Sequence, residues 1–363
     1  MRTAAFVIVL VFASLGPVWV VAQPSDAQIL SAIRQEGSER SQAMETVSWL
    51  SDVFGPRVTG TPSIEAAKDW AAERMRRWGL RVYEERFPYG RGWSLERFHA
   101  HLVAPQTMPI IGYPRAWTTS TEGVVTADVV RVAISSRDDL EQYRGTLNGK
   151  IVLTQPQRPV DMLDGDLVLR LDDELLADVS QAAQGTSEQK GSGGTGTRLN
   201  EYVNRFFFEE GVVAVLDRGS DVSHVGGAPL GSDLVWPTQR TDGGTIFVGT
   251  GGSRAVDAGS VVPSATIAVE HYNRLVRLLE LNVPVRVEVN IQTRFHEETR
   301  PNGFNLIAEL PGTDLANEVV ILGAHFDSTH AATGATDNAV GVAAMMEAVR
   351  ILQTLDVRPR RTI

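Results

Sequence analysis

A short apolar run followed by a loop and an amphipathic helix narrows the fold of this chain more than any other feature. Residues Val319 to Ala324 are continuously apolar and have the length of a strand. Such runs are typical of strands buried on both faces, as in an α/β sheet. A helix is predicted from about Asn338 to Leu355, because its apolar residues recur on one side. The sequence therefore predicts an α/β domain in which His325 stands at the end of a buried strand.

Three polar residues after this strand have spacings that suit a metal site. His325 lies at the carboxyl end of the strand, where binding sites form in open α/β sheets. Asp327 is near enough to hydrogen-bond the imidazole nitrogen that faces away from a metal, which would fix the tautomer. Asp337 precedes the helix in a Gly-containing loop, and one carboxylate there can bridge two cations held about 3.5–4 Å apart.

Each of these residues also has an ordinary structural explanation. A histidine at a strand end is usually a surface or packed residue, and an Asp before a helix is more often an N-cap than a ligand. The order of the segment favours the metal-site interpretation: an apolar strand, His-x-Asp-Ser, a short loop, Gly-x-x-Asp-Asn and a helix. His330, five residues after His325, is expected to be a solvated loop histidine.

Composition limits the chemistry. The 363 residues include no cysteine, which excludes disulfides, thiolate zinc sites and cysteine nucleophiles. Any metal must therefore be held by His, Asp and Glu. The formal net charge of −10 repels phosphate backbones, so a nucleic-acid partner is not expected.

The amino-terminal residues have the pattern of a signal peptide. Arg2 supplies a positive charge, residues 4–21 are almost wholly apolar, and small residues at 20–22 suit cleavage. We therefore expect residues 1–22 to be removed and the protein to be secreted or periplasmic, with no membrane contact after cleavage. The alternative is an uncleaved anchor, since the apolar run approaches the length that spans a bilayer.

The mature chain is predicted to begin with helices and to continue with strands. We expect one helix over Asp26–Phe54, a second from Thr61 to about Trp78, and a strand from Arg81 to Tyr89. Beyond about Tyr113 short β-branched runs recur between Gly- and Ser-rich stretches, which predicts a β-rich region with long loops.

Three stretches carry a resemblance to a known family: Gly55 to Gly60, Asn305 to Gly312, and His325 to Gly341. The chain resembles the co-catalytic zinc exopeptidases of metallopeptidase family 28, and within them the carboxypeptidase Q branch. The resemblance implies an α/β, phosphorylase/hydrolase-like mixed-sheet peptidase domain with an inserted β-rich domain of the protease-associated type. It implies a signal peptide at 1–22, peptidase-domain residues at 23–112, the inserted domain at 113–295, and the start of the catalytic domain at 296–363.

The resemblance also implies roles for the three site residues. His325 would bind one zinc ion, Asp337 would bridge two, and Asp327 would orient His325. The family's Glu-Glu pair, a further acidic ligand and a final histidine would all follow the strand that begins near Thr362. We therefore expect this chain to be truncated inside the catalytic domain and to be inactive as it stands.

The predicted function is that of a secreted, two-zinc exopeptidase acting on dipeptides or peptide ends. The resemblance favours hydrolysis at the carboxyl end of peptides, as in a carboxypeptidase, but leaves aminopeptidase activity open. One alternative is a non-catalytic secreted protein that binds peptide or glycan and has a vestigial peptidase half. Another is a two-metal hydrolase that acts on a non-peptide amide. Nothing in the sequence indicates the oligomeric state.

Overall fold

The computed structural model describes residues 25–160, 194–219, 248–296 and 301–363, together with residues 172, 173, 177 and 246. The predicted signal peptide, residues 1–22, lies outside these ranges. Within the described ranges, no helix combines the length and apolarity that crossing a membrane would need.

The amino-terminal region is helical but not continuous. Helix α1 spans Asp26–Glu39, α2 spans Ala43–Ser48 and runs into a π-helical turn at Trp49–Val53, and α3 spans Pro62–Arg77. The prediction of one helix over residues 26–54 is wrong at residues 40–42. There the main-chain N–H of Gln42 donates to a Glu347 carboxylate oxygen at 3.1 Å, a long-range partner that a helix interior would not permit. The second predicted helix is confirmed as α3.

Four strands lie beside these helices. They are β1 (Arg81–Phe87), β10 (Gly303–Glu309), β11 (Leu315–Val319) and β12 (Arg361–Thr362). Strands β1 and β10 pair antiparallel, and β11 and β12 pair parallel. Leu310 and Ile363 exchange main-chain hydrogen bonds of 2.9 and 3.0 Å, which join the two pairs.

The predicted strand at residues 319–324 is wrong in extent and burial. Only Val319 belongs to β11, and the Ile321 side chain is 86% exposed. A strand buried on both faces needs covering elements on each side, whereas in the described part of the chain β11 pairs with β12 alone. The apolar run is therefore an exposed segment that leads into His325.

The largest sheet has eight strands in the order β3-β2-β9-β5-β6-β7-β8-β4. Its strands are β2 Gly92–Ala104, β3 Met108–Pro109, β4 Gly112–Pro114, β5 Val125–Arg131, β6 Ile151–Leu153, β7 Ala214–Asp217, β8 Ser264–Ile267 and β9 Arg286–His296. The run from β5 through β8 is parallel, and the other pairs are antiparallel. The predicted β-branched strands after residue 113 are confirmed, in a mixed sheet.

Two helices cover this sheet, so the region is less purely β than the sequence suggests. Helix α4 (Gly194–Glu209) buries Phe206 and Phe207 in one apolar cluster. Helix α5 (Val269–Glu280) buries Tyr272 and Leu275 in the main cluster of the sheet. Parallel strands commonly require such covering helices.

The eight-stranded sheet begins earlier in the chain than residue 113. Strand β2 pairs with β9 along nearly its whole length, from Gly92 opposite His296 to Ala104 opposite Arg286. The residues of β2 were expected in the first part of the peptidase domain, because pairing between such distant segments leaves no local signal in the sequence. The proposed division at residue 113 therefore falls inside this sheet.

A second apolar core packs helices against β10. Helix α6 (Val340–Thr354) contributes Val342, Ala343 and Met346, and these contact buried residues of α2 and α3. The predicted helix near residues 338–355 is confirmed. Its packing fixes the helix that immediately follows Asp337.

A buried charge cluster links α1 to α6. Nη1 of Arg350 lies 2.9 Å from Oε1 of Glu36, and Nε of Arg350 lies 2.8 Å from Oε2 of Glu347. Hydrogen bonding to the Glu347 carboxylate is the largest cause that raises the pKa of Arg350. Removing one member of such a cluster leaves uncompensated charge away from water.

We expect Arg350→Met to lower the free energy of unfolding by about 3 kcal/mol, because it leaves buried carboxylates unpaired. Urea denaturation measures the change. Arg77→Met is the matched control, since Arg77 and Glu73 form a pair in which both side chains are 67% exposed. The control should lose less than about 1 kcal/mol. Equal losses in the two variants would contradict the role given to Arg350.

Candidate metal centre

The imidazole of His325 lies between two carboxylates. Nδ1 of His325 is 3.1 Å from Oδ1 of Asp327, and Nε2 is 2.7 Å from Oδ1 of Asp337. The His325 side chain is 53% exposed and that of Asp337 is 72% exposed, so both are open to solvent and to a ligand. The structure thus brings the three predicted site residues together.

Asp337 is carried by a short turn that leads into α6. Residues Ala335–Ala339 form a π-helical turn in which Asp337 has non-helical backbone angles. Gly334 precedes this turn with φ of +72°, and a Cβ there would lie 2.3 Å from Cβ of Ser328. Glycine is therefore required at 334 both for its backbone angles and for the close approach of the two loop segments.

Asp327 uses both carboxylate oxygens. Oδ1 faces His325, while Oδ2 accepts a hydrogen bond of 3.2 Å from the Thr59 hydroxyl. Thr59 is buried and lies in the turn that precedes α3. This second contact fixes the carboxylate and so the ring of His325. Thr59 received no role from the sequence alone, because its partner is far away in the chain.

The electrostatic surroundings favour a positive charge on the His325 ring. Burial alone lowers the pKa of His325, but the hydrogen bond to Asp327 and the charges of Asp337 and Asp327 outweigh burial and raise the pKa. The same two carboxylates would stabilise a cation bound at Nε2. A proton and a metal ion therefore compete for this nitrogen.

Arg57 holds the loop that carries these residues. Its side chain is completely buried, and its guanidinium donates hydrogen bonds to the main-chain carbonyl oxygens of Leu50, Phe326, Thr333 and Gly334. The bonds to Phe326 and Gly334 are both 3.0 Å long. Burial is the main cause that lowers the pKa of Arg57.

The main chain of Arg57 adds two further links. Its N–H donates to the Ser328 hydroxyl at 2.9 Å, and its carbonyl oxygen accepts from the Ser328 N–H at 3.0 Å. Arg57 lies within the Gly55 to Gly60 stretch that carries the family resemblance, but its sequence position alone predicts no role. Its position in a Gly- and Pro-containing turn was the available signal, and its partners become evident only in the folded chain.

His330 is not the solvated loop histidine that the sequence predicts. It is buried, and its Nε2 lies 3.2 Å from the carbonyl oxygen of Pro114, to which Nε2–H donates. Its ring packs edge-on against Trp93, with centroids 5.4 Å apart, and against Tyr113. Burial lowers the pKa of His330 to about 4. His330 therefore joins the loop to the eight-stranded sheet.

A cavity of about 360 Å³ lies beside the three polar residues. His325, Asp327 and Asp337 form part of its lining. The remaining wall comes from outside the loop and includes Tyr89, Trp117, Val248 and Thr250. The volume is near the lower end of the range for small-molecule sites.

The donor set suits zinc but is small. Zinc in proteins is bound by imidazole nitrogen and carboxylate oxygen, and the candidate donors, Nε2 of His325 and Oδ1 of Asp337, face each other. The described ranges contain no group of three or more His, Cys, Asp or Glu side chains that could hold a metal ion. The pair thus fits part of a metal site rather than a full coordination shell.

Comparison with known proteins identifies a family that this chain resembles. Residues 305–363 match the model of Peptidase family M28. Over 333 residues the chain is 23% identical to carboxypeptidase Q of Homo sapiens, a match that covers 90% of this chain and 58% of that protein. Carboxypeptidase Q of Mus musculus gives the same identity and coverage. The chain therefore spans less than two thirds of the length of these relatives.

A solved structure supports the fold. The crystal structure of a Peptidase M28 precursor from Shewanella amazonensis SB2B aligns with a TM-score of 0.55 and 24% identity. The alignment covers 92% of this chain and 65% of that chain. It agrees with the mixed α/β fold and the mixed sheet described above. The predicted resemblance to metallopeptidase family 28 is confirmed.

We expect Arg57→Lys to loosen the loop, because one ammonium group cannot serve carbonyl groups arranged around a planar guanidinium. Amide hydrogen exchange of Ser328 should accelerate by at least about tenfold, and stability should fall by about 2 kcal/mol. Arg76→Lys, on the exposed face of α3, is the control and should change neither quantity. Unchanged exchange at Ser328 in Arg57→Lys would show that the loop does not depend on this arginine.

Because of His330, the free energy of unfolding should decrease as the pH is lowered. Its folded-state pKa of about 4 lies below its ordinary value of 6.5, so the unfolded chain takes up the proton first as pH falls. The contribution of neutral His330 to the free energy of unfolding is complete above pH 6.5 and is lost progressively towards pH 4. Between pH 7.5 and 5 the chain should lose about 2 kcal/mol more than His330→Gln in urea denaturation. If the free energy of unfolding changes equally with pH in the unsubstituted protein and in His330→Gln, the role given to His330 is wrong.

Proposed function

We propose that this chain, whose residues 305–363 match the model of Peptidase family M28, is all or part of a secreted zinc exopeptidase that hydrolyses dipeptides or peptide ends. The observation that carries the proposal is the His325 ring held between Asp327 and Asp337 at 3.1 and 2.7 Å. This arrangement places Nε2 of His325 and Oδ1 of Asp337 side by side at the edge of a cavity of ligand size.

In the proposed site His325 and Asp337 would hold zinc, and Asp337 would serve as the ligand common to two ions. When bound, zinc lowers the pKa of a coordinated water and polarises a substrate carbonyl. Asp327 would accept a hydrogen bond from Nδ1–H of His325, which would leave Nε2 unprotonated and able to bind the metal, as carboxylates commonly do behind zinc-binding histidines. Thr59 holds Asp327 in that orientation, and Arg57 holds the loop.

The ligand count bears on the activity of these 363 residues taken alone. Catalytic zinc sites normally use three protein ligands and a water. His325 and Asp337 provide two, and we assign no general base to the described residues. We therefore propose that this chain by itself binds zinc weakly and is inactive, and that hydrolysis needs additional ligands.

The location and the domain plan are part of the proposal. The positive residue, apolar stretch and small residues within 1–22 support an exported, extracytoplasmic protein. The mixed eight-stranded sheet from Gly92 to His296 is proposed to contain the inserted domain of the protease-associated type, with a boundary that lies before residue 113. Peptides or dipeptides are the proposed substrates.

A non-catalytic peptide- or glycan-binding protein remains the alternative, and the two-donor site is the observation that favours it. The two proposals differ in what zinc does: an exopeptidase requires the metal for turnover, and a binding protein does not. A hydrolase of non-peptide amides would require zinc as well but would prefer acylated amines to dipeptides.

The test uses the full natural gene product that contains this chain. We expect His325→Ala and Asp337→Ala to abolish stoichiometric zinc, measured by plasma mass spectrometry, and to lower dipeptide hydrolysis by at least about 100-fold. Asp327→Asn should weaken zinc binding by about 10- to 100-fold, since it acts through His325. His99→Ala, on the face of the eight-stranded sheet, is the control and should retain zinc and activity. If the site variants keep both zinc and hydrolysis, the proposal is wrong.

A further inference from the structure

The cavity beside His325 has a second wall that the metal-site loop does not provide. This wall consists of Tyr89, Trp117, Val248, Gly249 and Thr250. We propose that it is the specificity pocket for an uncharged, apolar or aromatic side chain next to the scissile bond. The inference rests on the proposed exopeptidase function and names its substrate class.

Trp117 is held in an unusual conformation at the centre of this wall. Its φ is +59°, in the left-handed region that bulky residues seldom adopt. Its indole N–H donates to the carbonyl oxygen of Arg91 at 2.9 Å, which fixes the direction of the ring. Such conformations persist where surrounding contacts over-determine them, commonly at ligand sites.

The segment at 248–252 is hydrogen-bonded to the residues that immediately precede Trp117. The carbonyl oxygen of Ala116 accepts from the N–H groups of Gly251 and Gly252 at 2.9 and 3.1 Å. The guanidinium of Arg115 donates to the carbonyl oxygen of Thr250 at 2.6 Å. These hydrogen bonds therefore tie the two parts of the wall together.

Tyr89 closes the wall on the side of β1. The Arg254 guanidinium lies 4.2 Å from the centroid of its ring, and Nδ2 of the buried Asn302 donates to the carbonyl oxygen of Gly90 at 2.6 Å. An aromatic ring held by a cation on one face can offer its edge or its free face to a substrate side chain.

The chemistry of the lining indicates which side chain fits. Apart from the metal-site residues His325, Asp327 and Asp337 and the buried His330, the described lining has no ionisable side chain other than the Tyr89 phenol. A charged substrate side chain would lose hydration there without gaining a partner, which is costly. An aromatic or aliphatic side chain would instead contact Trp117, Tyr89 and Val248.

Gly249 allows the pocket to be narrowed without disturbing the fold. It lines the cavity, and a Cβ added there would meet no heavy atom within 4 Å. Gly259 has the same clearance but does not line the cavity, so it supplies a matched control. Gly249→Trp and Gly259→Trp therefore make the same chemical change inside and outside the proposed pocket.

The experiment compares kcat/KM for zinc-loaded full gene product on phenylalanyl, alanyl and aspartyl dipeptides. The unsubstituted protein should prefer the phenylalanyl over the aspartyl dipeptide by about 100-fold. Gly249→Trp should lower the phenylalanyl-to-alanyl ratio at least tenfold, chiefly through KM, with zinc content unchanged. Gly259→Trp should preserve the ratio, and general damage to the fold would lower both rates together.

The outcomes separate the two proposals. If dipeptides are hydrolysed but Gly249→Trp leaves the phenylalanyl-to-alanyl ratio unchanged, or if the aspartyl dipeptide is preferred, the pocket assignment is overturned while the exopeptidase function stands. If no dipeptide is hydrolysed by the unsubstituted protein, the proposed function fails and this inference falls with it.

Discussion

The buried guanidinium of Arg57 is the contact on which the geometry of the candidate site depends. A charge without solvent access is tolerated only when its donors are satisfied, and here main-chain carbonyl groups satisfy them. Those carbonyl groups belong to the loop that carries His325 and Asp337. A shift of the loop would therefore leave N–H groups of the buried guanidinium without hydrogen-bond acceptors. Arg350 solves the same problem differently, since it pairs with carboxylates and joins helices rather than a loop.

The site also depends on the eight-stranded sheet, which approaches the loop from the other side. Buried His330 donates to Pro114 at the end of β4, and Trp117 follows three residues later in the cavity wall. A single short segment of the sheet therefore both supports the loop and faces the space beside it. This arrangement couples the proposed metal site to the proposed pocket through packing, without a shared hydrogen bond between a ligand residue and the wall.

Several features could be read from local sequence because they arise between near neighbours. The amphipathic repeat of α3 and the β-branched runs of the large sheet are set by side-chain periodicity and burial. His325, Asp327 and Asp337 lie within one short stretch, so a loop between a strand region and a helix brings them close together. The family resemblance could be recognised for the same reason, since each of its motifs is an uninterrupted stretch of sequence.

Other features were decided only when distant segments met. The hydrogen bond from Gln42 to Glu347 interrupts a helix that propensity would continue. Strand β2 belongs with β9 because the two strands pair although they lie far apart in the chain. Apolar composition suggested burial for Ile321, but burial requires a neighbour, which composition does not specify. For Arg57 the residue type is plain in the sequence. Its function follows from carbonyl groups of the remote loop that carries His325 and Asp337, and only the tertiary structure brings these to it.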